Sequence, residues 1–287
     1  MKASDKMSSE LAGAKGSNAY PLNRDFIASA RLNLQHYVWT ASLDYLLHPA
    51  IPLNEVIVAD IGCGTGISSL EIAKQLPTGG KVEAYDLSLE QCPPKAWQPA
   101  KVTFAELDIF GPVPDHMAGK YDVVFLRHFI CVVKSGDPLP LLQALLKLLK
   151  PGGFLQWQEW DLTTNKVVVA EPATSAPKME AFMNMGGDSV RKQAAWVQSL
   201  HTRFDEAGAK LVAHDRHRTA KEAMGMRQEI NFLTVREWCD RLRAEDPDSQ
   251  QAAQLEKLAN EAFSECLRQG RGTVIDCDMV TWVARKM

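Results

Sequence analysis

The sequence predicts an α/β fold in which a mostly parallel, seven-stranded sheet carries an antiparallel edge strand. Apolar segments of strand length alternate with helical segments between residues 55 and 161. Such β-α-β alternation is typical of a parallel sheet covered by helices on both faces. Two later strand-like segments, 209–219 and 272–286, are joined by a long helical stretch. This pair predicts the antiparallel edge and a helical cap insertion.

The elements follow from hydrophobic spacing. The first five predicted strands are EVIVADIG, GKVEAYDLS, KVTFAELDIF, YDVVFLRHFICVV and KPGGFLQWQEWDL. Helical patterns are GISSLEIAKQL, the very apolar DPLPLLQALLKLL and VRKQAAWVQSLHTRFDEAG, with two more between 220 and 272. An N-terminal helix is predicted within 20–48. We expect one of its faces to be apolar, formed by Ile27, Ala30, Leu34, Tyr37, Val38, Ala41 and Tyr45.

Composition excludes several function classes. The formal net charge of -3 gives no basic field for nucleic acid or for an anionic membrane. No apolar run approaches the roughly 20 residues that span a bilayer, and the N-terminus has no apolar core of signal-peptide length. The six cysteines form no CxxC pair and no zinc spacing, which favours reduced, buried thiols in a cytoplasmic protein.

The segment VADIGCGTG places a glycine loop at the end of the first strand of the alternation. Open parallel sheets bind ligands beyond such strand ends. Its glycines, Gly62, Gly64 and Gly66, read G-x-G-x-G. A dinucleotide fingerprint needs its third glycine at position 67, which is Ile67, and the lysine of a phosphate-binding P-loop is absent. Bare backbone still lets a ligand lie against the turn, although glycine turns also arise from tight packing.

Two acids follow the next strands. Asp86 comes 20 residues after Gly66, and a carboxylate there can accept hydrogen bonds from both ribose hydroxyls. The alternative is a helix N-cap or a solvated loop acid. Asp108 can accept a hydrogen bond from an adenine amine, with Ile109 as an apolar wall. The alternative for Asp108 is a turn residue before the Gly-Pro pair that follows.

In this order and spacing, DIGCGTG, VEAYDLS, ELDIF, YDVVFLRHF and LKPGGFLQWQEWD resemble class I S-adenosylmethionine-dependent methyltransferases. The N-terminal YPLNRDFIASARLNLQHYVW is similar to a fungal branch that modifies secondary metabolites. The resemblance implies a Rossmann-like class I methyltransferase fold and S-adenosyl-L-methionine as cofactor, with S-adenosyl-L-homocysteine as product. It implies a single methyltransferase domain, 18–287, after a disordered tail, 1–17. The domain comprises a helical lid (18–54), a cofactor-binding core (55–161) and a C-terminal part (162–287) with a substrate cap at about 220–272.

The resemblance also implies which residues bind the cofactor. The three glycines border its amino-acid moiety, the acids and apolar residues contact its amino group, ribose and adenine, and two residues after the fourth strand border the methyl group. The full set is Asp60, Gly62, Gly64, Gly66, Asp86, Leu87, Asp108, Ile109, Arg127 and His128. Tyr20 and Arg31 of the N-terminal segment are expected to reach the cofactor, with a surface salt bridge as the alternative for Arg31.

Methyl transfer is an in-line displacement at carbon, so alignment accounts for much of the rate. A hydroxyl or amide acceptor also needs a base, and His128 is the candidate by position and pKa range. Its alternative is a strand-capping or cofactor-binding role. Glu159 and Asp161 follow the fifth strand and either face the pocket or lie on the surface. A thiol acceptor ionises near neutrality and needs little help from a base. The motifs predict no metal site.

The substrate is expected to be a small, largely apolar metabolite. Tyr37 and Trp39 are predicted either to wall its space or to pack in the core. The cap is rich in apolar side chains that suit such a molecule or ordinary packing: Met179, Phe182, Met183, Met185, Trp196, Met224, Met226, Phe232 and Trp238. The acceptor atom stays open among O, N and S, and the sequence carries no signal for an oligomeric state.

Two other functions share this fold. One is an enzyme that uses bound S-adenosylmethionine electrostatically for rearrangement or cyclisation. The other is a non-enzymatic regulator, which predicts damage at Gly62, Gly64 or Asp86; none of these positions is altered. An NAD-dependent oxidoreductase fits worse because of Ile67. Fold alone does not settle function.

Overall fold

The computed structural model describes residues 22–54, 56–133, 136–185 and 187–287. The predicted tail and Tyr20 lie outside the described residues. The chain falls into two compact units, each assembled from several chain segments. The helical unit comprises residues up to 42, 161–195 and 218–278, and the sheet unit comprises 43–160, 196–217 and 279–287. The predicted division into lid, core and cap stays a prediction.

The seven strands form one sheet in the order β3-β2-β1-β4-β5-β7-β6. They are β1 (Ile57–Ile61), β2 (Lys81–Asp86), β3 (Val102–Glu106), β4 (Tyr121–Arg127), β5 (Leu149–Val169), β6 (Ala209–His217) and β7 (Thr273–Lys286). Strands β1 to β5 pair in parallel, and the edge strand β6 is antiparallel to β7. This confirms the predicted mostly parallel sheet with an antiparallel edge.

Helices account for most of the remaining regular structure. They are α1 (Phe26–Ser42), α2 (Ile67–Gln75), α3 (Leu139–Leu148), α4 (Pro177–Asn184), α5 (Gly187–Ala194), α6 (Trp196–Ser199), α7 (Met224–Glu245) and α8 (Gln250–Arg268). Helices α7 and α8 occupy the stretch predicted as the helical insertion. Both faces of the sheet are buried, because Val123 and Phe125 of β4 enter one core and Val124 and Leu126 enter the other.

Helix α1 confirms the predicted helix, but of the apolar face predicted for it only Val38 is buried. Its buried positions include Arg31, Gln35 and Trp39, whereas Tyr37 is 53% exposed. The buried face carries polar side chains that find partners within the helical unit. A search for apolar periodicity alone therefore selected a neighbouring face.

Two further expectations differ from the structure. The segment 190–208 is not one helix, because α5 ends at Ala194 and only a short α6 follows. The Trp196 ring packs against Trp157 with ring centroids 5.4 Å apart, in the core of the sheet unit. Cys131 was grouped with the buried thiols, but it is exposed in the turn after β4; none of the six cysteines forms a disulfide.

Candidate active site

The glycine loop directly follows β1, and its conformation requires glycine. Gly62, Gly64 and Gly66 all have positive φ angles of 71°, 54° and 75°, which L side chains rarely adopt. A Cβ atom added to Gly62 would lie 2.6 Å from ring carbons of Phe129, and one added to Gly66 would collide with the ring of Phe104. Such glycines arise either from close ligand approach or from tight packing. In the structure an aromatic ring packs against each of two of these glycines, Phe129 against Gly62 and Phe104 against Gly66.

Asp86 ends β2 and contacts this loop. Its Oδ2 atom accepts a hydrogen bond from the Gly64 backbone N–H at 2.8 Å, and its Oδ1 atom accepts one from Ser88 N at 3.3 Å. The structure thus brings together the two motifs that were predicted to share a ligand. The neighbouring Leu87 side chain is 43% exposed, although it is apolar. The ribose and adenine roles of these two residues stay predictions.

Asp108 and Ile109 lie in the loop after β3. The Oδ1 atom of Asp108 accepts a hydrogen bond from Phe110 N at 3.0 Å, and its carbonyl oxygen accepts one from Gly111 N at 3.0 Å. Asp108 is therefore a turn residue, as its alternative interpretation expected. Ile109 is buried in a core cluster. Pairing of β2 with β3 places this loop beside Asp86, and the adenine-binding role of both residues stays a prediction.

Asp60 is buried within β1, with 2% of its surface exposed. Ser69 of α2 donates a hydrogen bond to its Oδ2 atom at 2.5 Å. Burial raises the pKa of Asp60 to about 6, while the Ser69 hydrogen bond and the charge of Arg127 oppose that rise. The carboxyl therefore changes charge in the weakly acidic range, and it carries a negative charge at neutral pH.

A row of polar side chains continues from Asp60 across the sheet. Arg127 of β4 donates from Nε and Nη2 to the Oε1 atom of Gln158 on β5, at 2.9 and 2.7 Å. The amide of Gln158 in turn donates to Thr281 Oγ1 of β7 at 3.1 Å. Burial lowers the pKa of Arg127 to about 9 and the charge of Asp60 raises it, so the guanidinium stays charged at neutral pH.

Sequence reasoning missed Ser69, Gln158 and Thr281 as members of this row. One signal was available in the fifth strand, where Gln156 and Gln158 alternate with apolar residues. Both glutamines are fully buried. A buried amide needs hydrogen-bond partners, so two amides on one face of a central strand indicate a polar layer at that depth.

His128 follows β4 and has an unusual backbone. Its φ angle is 65°, a left-handed conformation that is uncommon for any residue except glycine. Its N–H donates to the carbonyl oxygen of Gln158 at 3.1 Å, and its ring lies edge-on to Trp160 with centroids 4.6 Å apart. Strained backbone of this kind clusters at functional sites. The predicted catalytic role of His128 stays a prediction.

Glu159 is fully buried, so the surface alternative for this acid is wrong. Its Oε1 atom accepts hydrogen bonds from Phe129 N at 2.5 Å and from Trp157 Nε1 at 2.8 Å. Burial raises the pKa of Glu159 to about 8, and these hydrogen bonds oppose the rise. Asp161 is also fully buried, in the helical unit, where Thr163 N donates to its Oδ1 atom at 3.2 Å.

The helical unit holds Arg31 in a buried ion pair. Arg31 Nε lies 2.5 Å from Glu237 Oε1, Nη2 lies 3.2 Å from Oε2, and Nη1 donates to Gln35 Oε1 at 3.1 Å. The surface-salt-bridge alternative is therefore wrong, because both partners are at most 3% exposed. Its predicted contact with the cofactor stays a prediction. Trp39 is fully buried, as expected for a core aromatic.

Most of the apolar cap residues pack against one another. A core cluster of the helical unit contains Met179, Phe182, Met183, Met185, Phe232 and Trp238, whereas Trp196 belongs to the sheet unit. Phe182 stacks on Phe232 with centroids 5.9 Å apart. The same unit buries charged side chains, including Arg227 and Asp276. Its interior is more polar than the sequence suggested.

Two kinds of feature are absent from the residues that the structure describes. Within those ranges, no helix has the length and apolar content needed to cross a membrane. Among the same residues, no three side chains of the metal-binding types His, Cys, Asp and Glu gather into a group suited to a metal ion.

Several of the known proteins that this chain resembles are methyltransferases. A family model described as a methyltransferase domain matches residues 33–214. Methyltransferase grgD of a Penicillium species is 37% identical over 215 residues, which cover 71% of this chain and 74% of grgD. N-methyltransferase tcpN of Claviceps purpurea is 30% identical over 46% of this chain, and the match spans 48% of tcpN. A solved S-adenosylmethionine-dependent methyltransferase of Geobacter sulfurreducens, bound to S-adenosylhomocysteine, covers 100% of this chain and 99% of its own at 13% identity, with a TM-score of 0.45.

Proposed function

The chain belongs to the S-adenosylmethionine-dependent methyltransferases, and from that premise we propose that it methylates an O, N or S atom of a small secondary metabolite by in-line displacement. The family relationship establishes the enzyme class and the cofactor. The small-molecule acceptor is supported by the relationship to fungal methyltransferases such as grgD and tcpN. The net charge of -3 argues against a nucleic acid acceptor.

The residues at the ends of β1 and β2 fit the cofactor. Three positive-φ glycines at alternate positions leave backbone without side chains, and the Asp86 carboxylate lies within hydrogen-bond distance of the N–H of the middle one, Gly64. When bound, S-adenosylmethionine supplies a methyl group activated by its sulfonium. We assign its amino-acid moiety to the glycine loop with Asp60, its ribose to Asp86, and its adenine to Leu87, Asp108 and Ile109. Arg127 and His128 complete this set, with Tyr20 and Arg31 from the N-terminal segment.

His128 is our candidate for a general base toward a hydroxyl or amide acceptor. The left-handed conformation of His128 turns the backbone sharply at the end of β4. The peptide N–H groups on both sides of its α-carbon are hydrogen-bonded, His128 N to the Gln158 carbonyl and Phe129 N to the Glu159 carboxyl. We expect His128→Asn to lower turnover more than cofactor affinity, because asparagine tolerates this backbone conformation but lacks the imidazole. A loss of affinity with unchanged turnover would make His128 a cofactor ligand instead.

The acceptor itself is proposed to be largely apolar. We assign 18–54 as the lid and about 220–272 as the substrate cap of a single cytoplasmic domain. The methionines and aromatic rings of the helical unit support this assignment by their composition, although most of them pack together.

The contact between Asp86 and the glycine loop carries this proposal, and calorimetry tests it. We expect S-adenosylmethionine and S-adenosylhomocysteine to bind at micromolar concentration and NAD to fail. Asp86→Ala is expected to weaken both by more than about tenfold, since the ribose hydroxyls would lose their proposed charged acceptor and Gly64 N would lose its partner. The matched control is Asp115→Ala, which removes an exposed acid of the sheet unit. Preference for NAD would refute the assignment of the loop.

Product mass then tests the reaction. Incubation with S-adenosylmethionine and candidate fungal metabolites is expected to give a product one methyl group heavier, together with S-adenosylhomocysteine. A product of unchanged mass, formed only when the cofactor is present, would instead support rearrangement or cyclisation. Absence of any turnover despite tight cofactor binding would favour a regulatory role.

A further inference from the structure

We propose that Glu159 is a positioning residue, whose buried carboxyl fixes the His128–Phe129 turn and, through the Phe129 ring, the first glycine of the loop. This inference rests on the cofactor site proposed above. It adds a member that the family resemblance did not assign. Three contacts of the sheet unit connect Glu159 to the glycine loop.

The first contact is the carboxyl itself. Glu159 is fully buried, and its Oε1 atom accepts from Phe129 N at 2.5 Å and from Trp157 Nε1 at 2.8 Å. Its Oε2 atom is buried and has no hydrogen-bond partner among the described residues. Burying a carboxyl is unfavourable unless its hydrogen bonds compensate. The two donors that converge on one oxygen compensate for part of that cost, and the backbone N–H of Ile130 contributes as well, although burial still raises the pKa.

The second contact is the turn. His128 is held in the left-handed conformation, which is unfavourable for a residue with a Cβ atom and persists only where its surroundings enforce it. Hydrogen bonds anchor the N–H groups on both sides of the strained α-carbon. His128 N donates to the Gln158 carbonyl and Phe129 N donates to the Glu159 carboxyl. Without the Glu159 carboxyl, Phe129 N loses its hydrogen bond, and His128 can leave the left-handed conformation.

The third contact links the turn to the loop. Two carbons of the Phe129 ring lie 2.6 Å from the position that a Cβ atom of Gly62 would take. The backbone of Phe129 is held by Glu159, and its ring packs against Gly62. A shift of Phe129 therefore changes the packing that supports Gly62. Glu159 is thus coupled both to the candidate base and to the proposed cofactor site.

The side chain acts here as a hydrogen-bond acceptor and not as a charge. Burial raises the pKa of Glu159 to about 8, so the neutral acid predominates at pH 7. The carbonyl oxygen of a neutral carboxyl still accepts two hydrogen bonds. Glutamine offers the same acceptor with nearly the same shape, whereas leucine has the volume but no acceptor. Aspartate keeps the carboxyl and withdraws it by one methylene.

Calorimetry with S-adenosylhomocysteine separates these variants. We expect Glu159→Gln to bind within about threefold of the wild type, and Glu159→Leu and Glu159→Asp to lose at least about tenfold, since Phe129 N becomes an unsatisfied buried donor. The matched control is Glu265→Leu. Glu265 is a buried acid of the helical unit that also accepts backbone N–H groups, from Lys178 at 3.2 Å and Met179 at 2.9 Å. This control is expected to lower the melting temperature and leave the affinity unchanged.

A spectroscopic readout tests the carboxyl directly. Selective ¹⁵N labelling of the seven tryptophans gives resolved indole signals, and Trp157→Phe identifies the one that donates to Glu159. We expect this signal to titrate with a midpoint near the pKa of about 8 and to stop titrating in Glu159→Gln. If Glu159 only filled space, the Trp157 indole signal would not change with pH.

The outcomes are distinct. Wild-type affinity in both Glu159→Leu and Glu159→Asp overturns the proposal, as does equal loss of affinity in Glu265→Leu. If Glu159→Leu fails to fold, the affinities of Glu159→Gln and Glu159→Asp for S-adenosylhomocysteine still distinguish the outcomes. Failure of the wild type to bind S-adenosylhomocysteine would refute the proposed cofactor site, while the indole titration would continue to report whether Glu159 holds the turn.

Discussion

Arg127 donates two hydrogen bonds to a single atom, the Oε1 of Gln158, from Nε at 2.9 Å and from Nη2 at 2.7 Å. The two residues are direct partners in the pairing of β4 with β5. Gln158 is tied on its other side to Thr281. The amide therefore fixes the orientation of a guanidinium that lies at the carboxyl end of β4, where the proposed cofactor site begins.

The first prediction is that Gln158→Leu weakens S-adenosylhomocysteine binding at least about tenfold and lowers the free energy of unfolding by about 1–3 kcal/mol, because the charged donors of Arg127 lose their buried acceptor. Calorimetry and urea denaturation measure the two effects. Gln156→Leu is the matched control, two residues earlier on β5. It loses hydrogen bonds with His48 N and the Leu46 carbonyl. We expect equal destabilisation there with unchanged binding, and a parallel loss of binding would contradict the prediction.

The second prediction concerns the packing behind the glycine loop. Gly62→Ala is expected to abolish binding of S-adenosylhomocysteine and to destabilise the protein by about 2–4 kcal/mol, from the positive φ and the collision with Phe129. Gly119→Ala is the control, because Gly119 has a similar φ of 66° and nothing within 4 Å of its added Cβ. It is expected to cost about 1–2 kcal/mol without affecting binding.

A double-mutant cycle isolates the ring contact from the backbone effect. Phe129→Leu removes the ring that meets the added methyl group at position 62. We expect the double variant to recover part of the stability lost in Gly62→Ala. Strict additivity of the two single changes would show that the ring is not the obstacle.

These contacts show how far the sequence could lead. The glycine loop, Asp86 and the seven strands were predictable because each is encoded locally, by turn residues and by hydrophobic spacing. Strand pairing then brings Asp86 to Gly64, as the order of a parallel sheet requires. The left-handed backbone of His128 and the anchor at Glu159 were not predictable, since each depends on which residues meet across β4 and β5.

The buried face of α1 illustrates the same limit. Arg31 and Gln35 lie inside because Glu237, 206 residues along the chain from Arg31, supplies the opposite charge. Spacing rules treat arginine as a surface residue, so the predicted apolar face included neither Arg31 nor Gln35. Only the tertiary partner makes the polar face the buried one.

The third prediction is a pH dependence of stability. Burial raises the pKa of Glu159 from 4.5 to about 8. In the window between these values the folded protein binds a proton that the unfolded chain releases, so stability falls as pH rises, by at most about 1.4 kcal/mol per pH unit from this group. Urea denaturation from pH 5 to 8 is expected to show a shallower fall in Glu159→Gln than in the wild type. Gln156→Leu, which removes no titratable group, is expected to keep the wild-type slope, and an unchanged slope in Glu159→Gln would contradict the assignment.

The fourth prediction concerns the buried ion pair of the helical unit. Arg31→Met leaves the Glu237 carboxylate buried without its cation, and we expect a loss of about 3–5 kcal/mol in the free energy of unfolding. Arg31→Met combined with Glu237→Leu removes both charges and keeps similar volume, so most of that stability is expected to return. Urea denaturation of the two variants and the wild type makes the comparison. Equal destabilisation of the single and double variants would mean that the pair contributes specific hydrogen bonds, including the one from Arg31 to Gln35, beyond mutual neutralisation.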